Sequence, residues 1–159
     1  MRGLVVGLAL ALTTGGAASA AAPSAVGEAI SHECLPFVVD RAPAPNAGTA
    51  SDRLVTIDRR DGDRRSCVVK MVASPPDELP AALRPSAIRA ELSKLFGDRG
   101  YTPVQAPPPR DFAFRDAYCS APGDRSFIVL ISGTADDNQP TRALFVTLAE
   151  TPGREAFCP

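Results

Sequence analysis

Apolar and polar positions recur with two different periods along this chain, and the change of period divides it into elements. Val26, Ile30, Cys34 and Phe37 or Val38 return at the spacing of one buried helix face, with Ser24 placed to cap the start. Pro36 removes an amide donor and crowds the turn before it, so this helix is expected to stop or kink within residues 31–35. Residues 35–39 (LPFVV) then pack either as a helical turn or as a short extended piece.

The period next shortens to two. Residues 54–57 (LVTI) and 67–72 (CVVKMV) flank Asp61-Gly62, a pair suited to a hairpin turn because both central residues of the favoured turn need positive φ. A two-residue turn there sets Val55 opposite Val68 and Thr56 opposite Cys67, with residues 58–65 as a solvated tip. Ser74-Pro75-Pro76 ends the second strand. A second helix follows, with Pro85 in its first turn and Ile88, Leu92, Leu95 and Phe96 on one stripe. Glu91 and Lys94 are expected on its exposed side, and Gly97 or Gly100 supplies the stop. Leu79 and Leu83 belong to a preliminary turn, because Pro85 disfavours helical geometry at Arg84.

Beyond this helix the chain reads as strands. Residues 101–105 (YTPVQ) predict a short edge strand limited by Pro103, and residues 107–109 (PPP) a stiff extended linker. Phe112, Phe114 and Tyr118 leave alternating positions to Ala113 and Arg115. Residues 127–132 (FIVLIS) and 143–149 (ALFVTLA) are nearly continuous apolar runs, joined by the loop 133–141. The class that follows is α+β. An N-terminal hairpin and a C-terminal three- to four-stranded antiparallel meander carry two helices on one face, in one sheet or in two.

The first twenty residues stand apart. Arg2, the apolar run 4–12 (LVVGLALAL) and Ala18-Ser19-Ala20 match a cleavable export signal, which predicts a mature domain of residues 21–159. The apolar run is far shorter than the roughly 20 residues a bilayer span needs, so no transmembrane segment is expected after cleavage. The expected location is periplasmic or secreted. The four cysteines, Cys34, Cys67, Cys119 and Cys158, then meet an oxidising compartment and predict two disulfides. The connectivity local to each half of the chain is Cys34–Cys67 with Cys119–Cys158. Basic residues are nearly all arginine, and Ala and Pro abound, as in proteins of GC-rich bacteria.

Charge narrows the partners. The chain has 17 basic and 18 acidic residues, which is no excess of the kind a nucleic-acid or anionic-membrane partner requires. His32 beside Glu33, with Glu28 one turn away, is the one place for an acid–base pair, and no nucleophile elbow accompanies it. No catalytic residue, metal or cofactor is assigned. Residues 58–63 (DRRDGD) lack the acid spacing and distal glutamate of a calcium loop. Arg59, Arg60, Arg64 and Arg65 are the binding candidates, since guanidinium forks suit carboxylate or phosphate groups on an envelope protein or anionic polymer. Asp58, Asp61 and Asp63 lie among them and can neutralise them. The expected function is non-enzymatic contact with a macromolecule outside the cytosol. The alternatives are a small cell-wall or extracellular hydrolase whose carboxylates, or His32, converge in the fold, and an inhibitor of an exported enzyme presenting loop 133–141 or the arginine tip.

Overall fold

The computed structural model describes residues 22–44, 54–74, 79–122, 124–134, 137, 142–153 and 158. The expected signal segment, residues 1–20, lies outside them, as do most of loops 41–52 and 133–141. The architecture is the expected α+β one: two helices over a six-stranded, wholly antiparallel sheet, braced by two disulfides.

Helix α1 covers residues 25–38. Ser24 Oγ accepts a hydrogen bond from the Gly27 amide at 3.0 Å, as expected of an N-cap. Pro36 does not stop this helix. Ala25–Ala29 is α-helical, Ile30–Cys34 widens into a π turn, and Leu35–Val38 resumes the α form. The Leu35 amide donates to the Ile30 carbonyl, one residue further back than in an α turn. The widened turn absorbs one residue just ahead of the proline, so the ring that would crowd a regular helix is accommodated. Val26, Ile30, Cys34, Phe37 and Val38 all stay buried, and residues 35–38 are helical rather than extended.

Strands β1 (Val55–Arg60) and β2 (Ser66–Ala73) form the first hairpin. Its register is not the expected one. Val55 faces Met71 and Arg59 faces Cys67, because residues 61–65 all belong to the turn. Asp61 organises that turn, accepting from the Gly62 amide at 3.0 Å and from Arg65 Nε at 2.8 Å. The displacement is by an odd number of positions, which exchanges the two faces of a strand. Only the observed register puts Val55 and Ile57 on the same side as Cys67, Val69 and Met71. The apolar alternation of β2 therefore outweighs the preference of Asp-Gly for a two-residue turn.

A short 3-10 turn, Ala81–Leu83, precedes helix α2 (Pro85–Asp98), and Arg84 is extended before the proline as expected (ψ 140°). Ile88, Leu92 and Phe96 are fully buried, each removing an apolar side chain from water for about 1.5–3 kcal/mol. The stop is Gly100, whose φ of 78° suits a residue without a Cβ. The Tyr101 amide donates to the Phe96 carbonyl and the Gly100 amide to the Gly97 carbonyl, while the Phe96 and Tyr101 rings meet edge to face at 5.3 Å. Burial pushes the Tyr101 phenol up to about 12, so it stays protonated across the physiological range. Glu91 does not share the solvent face with Lys94. It turns inward to accept from the Ser24 amide at 3.0 Å, and Lys94 pairs with Asp98 instead.

Strands β3 (Thr102–Val104), β4 (Phe114–Ser120), β5 (Ser126–Gly133) and β6 (Arg142–Thr151) complete the meander. The strand order is β1-β2-β6-β5-β4-β3, so hairpin and meander form one sheet joined by β2 and β6. Gly133 lies opposite Phe114, whose ring occupies the space a Cβ would need. Gly133→Ala is expected to cost about 1–3 kcal/mol by displacing that ring, as measured by urea unfolding. A neutral substitution would mean that the ring moves freely.

Candidate functional site

The register assigns every strand residue to one of two faces. Both helices cover the face that carries Val69, Val129, Val146 and Tyr118, and the core lies between. Among the described residues, no helix lies over the opposite face. Val68 and Val72 on β2, Phe145 on β6 and Leu130 on β5 form its apolar middle, and Val72 is 38 % exposed. Phe112, outside the strands, packs on Phe145 at 5.7 Å, and Lys70 Nζ stands 5.6 Å over the same ring. The ionisable strand residues on this face are Asp58, Arg60, Lys70 and Arg115. Three cations stand against one anion there, on a chain whose formal net charge is −1.

At the β4 margin of this face lies a groove of about 640 Å³. Pro103, Val104, Ala106 and Pro107 line one side, and Arg115, Asp116 and Tyr118 of β4 the other. Arg115 reaches Ser132 Oγ at 3.3 Å and the Pro107 carbonyl at 3.2 Å. Asp116 is already engaged by two nitrogens of Arg89, at 2.5 and 2.8 Å. It is the one carboxylate in the groove lining.

The four arginines singled out from the sequence do not gather on one surface. Arg59 lies on the helix side and pairs with Glu33. Arg65 folds back under the end of α1, donating to the Phe37 and Ala42 carbonyls at 3.0 and 2.7 Å, with its guanidinium 4.7 Å over the Phe37 ring. Arg60 belongs to the open face and Arg64 to the exposed turn. His32 is exposed on α1 and takes no part in the groove. Among the described residues, no cluster of histidine, cysteine or acidic side chains could hold a metal ion. No described helix is long and apolar enough to cross a membrane.

No family model, curated protein or solved structure matches this chain.

One polar cluster escaped sequence reasoning. Arg125, just before β5, donates to the Val38 and Val39 carbonyls at 2.9 and 2.8 Å and to Glu150 at 2.8 Å. Arg41, held at φ 55°, donates to the other oxygen of Glu150 at 2.7 Å. Arg65 and Arg125 together take up the otherwise unpaired carbonyls at the negative end of α1. Hydrogen bonding from Arg125, with the charges of Arg125 and Arg41, holds the Glu150 carboxyl below its ordinary range. Ser86 does the same to Asp137, through its hydroxyl and through its amide at 3.0 Å. The Arg125–Val39 and Arg41–Glu150 contacts join residues 86 and 109 positions apart, and only an excess of arginine hinted at them.

Proposed function

We propose that this chain is an exported protein, periplasmic or secreted, that works by contact with another macromolecule through the open face of its sheet. The observation that carries the reading is the pairing of an apolar middle with a cationic surround on that face. The fitting partner is an exported protein that presents acidic side chains around an apolar patch. Two disulfides and an N-terminal segment patterned as an export signal support the compartment. The hydrolase alternative would need a second acid at the groove, and among the lining residues Asp116 stands alone with Arg89 already upon it.

The test is a capture experiment on extracellular and periplasmic fractions with the intact protein and the double variant Lys70→Glu, Val72→Glu. A specific partner is expected to bind the wild type, to bind the variant at least about tenfold more weakly, and to dissociate as salt rises. The variant should melt within a few degrees of the wild type, because both positions face solvent. Equal capture by the two proteins, or turnover of a wall polymer by the wild type, overturns the reading.

A further inference from the structure

We propose that the groove at the β4 margin binds an extended stretch of polypeptide, which pairs main chain to main chain with β4 beyond the point where β3 ends. The argument starts from a proline. Pro103 faces Tyr118 and has no N–H, so the ladder bonds between β3 and β4 must run through the pairs Thr102–Cys119 and Val104–Ala117. Backbone groups of alternate residues point to the same side of a strand. Those of Arg115 therefore point where those of Ala117 and Cys119 do, toward the β3 side. β3 stops at Val104, and no residue of it reaches Arg115. Among the described residues the Arg115 N–H and C=O have no backbone partner on that side.

The chain itself keeps this edge open. The register would bring Ala106 opposite Arg115, but β3 ends at Val104 and no backbone bond joins the two; Pro107, Pro108 and Pro109, which follow, have no donor with which to resume the ladder. The uncovered part of β4, residues 114–116, is about 10 Å long at the usual strand rise. The cavity beside it, about 640 Å³, lies within the range that holds small ligands and short peptides. An unpaired edge bordered by a pocket is the arrangement on which strand addition depends: main-chain bonds hold the guest and the pocket selects its side chains.

The lining states the guest's chemistry. Pro103, Val104, Ala106 and Pro107 accept small or flat apolar side chains. Arg115 uses Nε and Nη1 within the protein, while Nη2 has no partner among the described residues. That free end of the fork selects a carboxylate, from an acidic side chain or a chain terminus. The inference deepens the contact reading above and rests on it only in taking the partner to be a polypeptide.

The probe is a random octapeptide library selected on the intact, disulfide-bonded protein. Enriched peptides are expected to be apolar with at least one carboxylate, and to slow hydrogen exchange at the Arg115 amide. Methylating the peptide nitrogen that meets the Arg115 carbonyl should weaken binding about tenfold, and methylating its neighbour by less than about twofold. Arg115→Ala leaves the main chain intact and should weaken only peptides that carry the carboxylate. Failure to enrich any peptide, an unchanged Arg115 amide in the complex, or indifference to both methyl groups overturns the inference. Lys70 and Val72 lie on β2, separated from β4 by β6 and β5, so the Lys70→Glu, Val72→Glu variant should bind these peptides as the wild type does. Peptide binding without any effect of that variant on partner capture would sink the open-face reading alone. The reverse result would sink the groove alone.

Discussion

Replacing Cys34 and Cys67 together by alanine is expected to lower the melting temperature by about 10–15 °C, the largest single effect in this fold. The bridge closes 33 residues of chain, for which loop-closure entropy gives roughly 3.5–4 kcal/mol. Both half-cystines are fully buried, and they tie the wide turn of α1 to β2 at the centre of the core. The Cys119–Cys158 bridge closes a loop of similar length, 39 residues, but Cys158 is only half-buried. Access controls thiol exchange, so mild reductant should open Cys119–Cys158 first and leave Cys34–Cys67 until the protein unfolds. Calorimetry of the double variant, with peptide mapping after graded reduction, checks both statements. An unchanged melting curve would mean that the buried bridge does not brace the native state.

Arg125→Met should destabilise the protein by about 2–4 kcal/mol at neutral pH. The methionine keeps some stem packing over Phe127, where the guanidinium now sits 4.7 Å from the ring centre. It leaves the Val38 and Val39 carbonyls without their donors and leaves Glu150, whose side chain is 9 % exposed, with Arg41 alone. The effect should depend on pH with a definite sign. A carboxylate held below its unfolded value adds stability above that value and loses it as pH falls through the folded one. The wild type should therefore lose stability on acidification below about pH 4, Glu150 contributing with Asp137, whereas the variant's curve is flatter. Urea unfolding of both proteins at pH 7 and pH 3.5 measures this. A gap of equal size at both values would show that Glu150 is not its source.

What could be read in the sequence followed from short-range regularities. The runs at residues 127–132 and 143–149 became β5 and β6, the stripe Ile88, Leu92, Phe96 became the buried face of α2, and both cysteine pairings proved local to their halves. The misreadings came where a local preference met a competing demand. Asp-Gly asked for a two-residue turn, and the alternation of Cys67, Val69 and Met71 required a longer one. Pro36 asked for a stop or a kink within residues 31–35; a π turn does interrupt the α form there, and the apolar residues beyond it carry the helix on instead of ending it. Glu91 looked like a surface residue by its spacing. The open amide at Ser24, 67 positions away, recruited it. The candidate site was the least legible part. Which side of a strand lies bare depends on where both helices settle, and nothing local to Val72, Lys70 or Arg115 records that.

The placement of β6 has a consequence for how the molecule is made. It comes last in chain order among the described strands, yet it stands between β2 and β5 in the interior of the sheet. Until residues 142–151 arrive, the first hairpin and the rest of the meander each present a bare flank, and the two halves have no ladder in common. Closure of the sheet therefore waits on residues 142–151 and is a long-range event of the slow kind. The same order makes premature termination hazardous. A product ending before Arg142 would carry two sticky margins and should clump rather than fold.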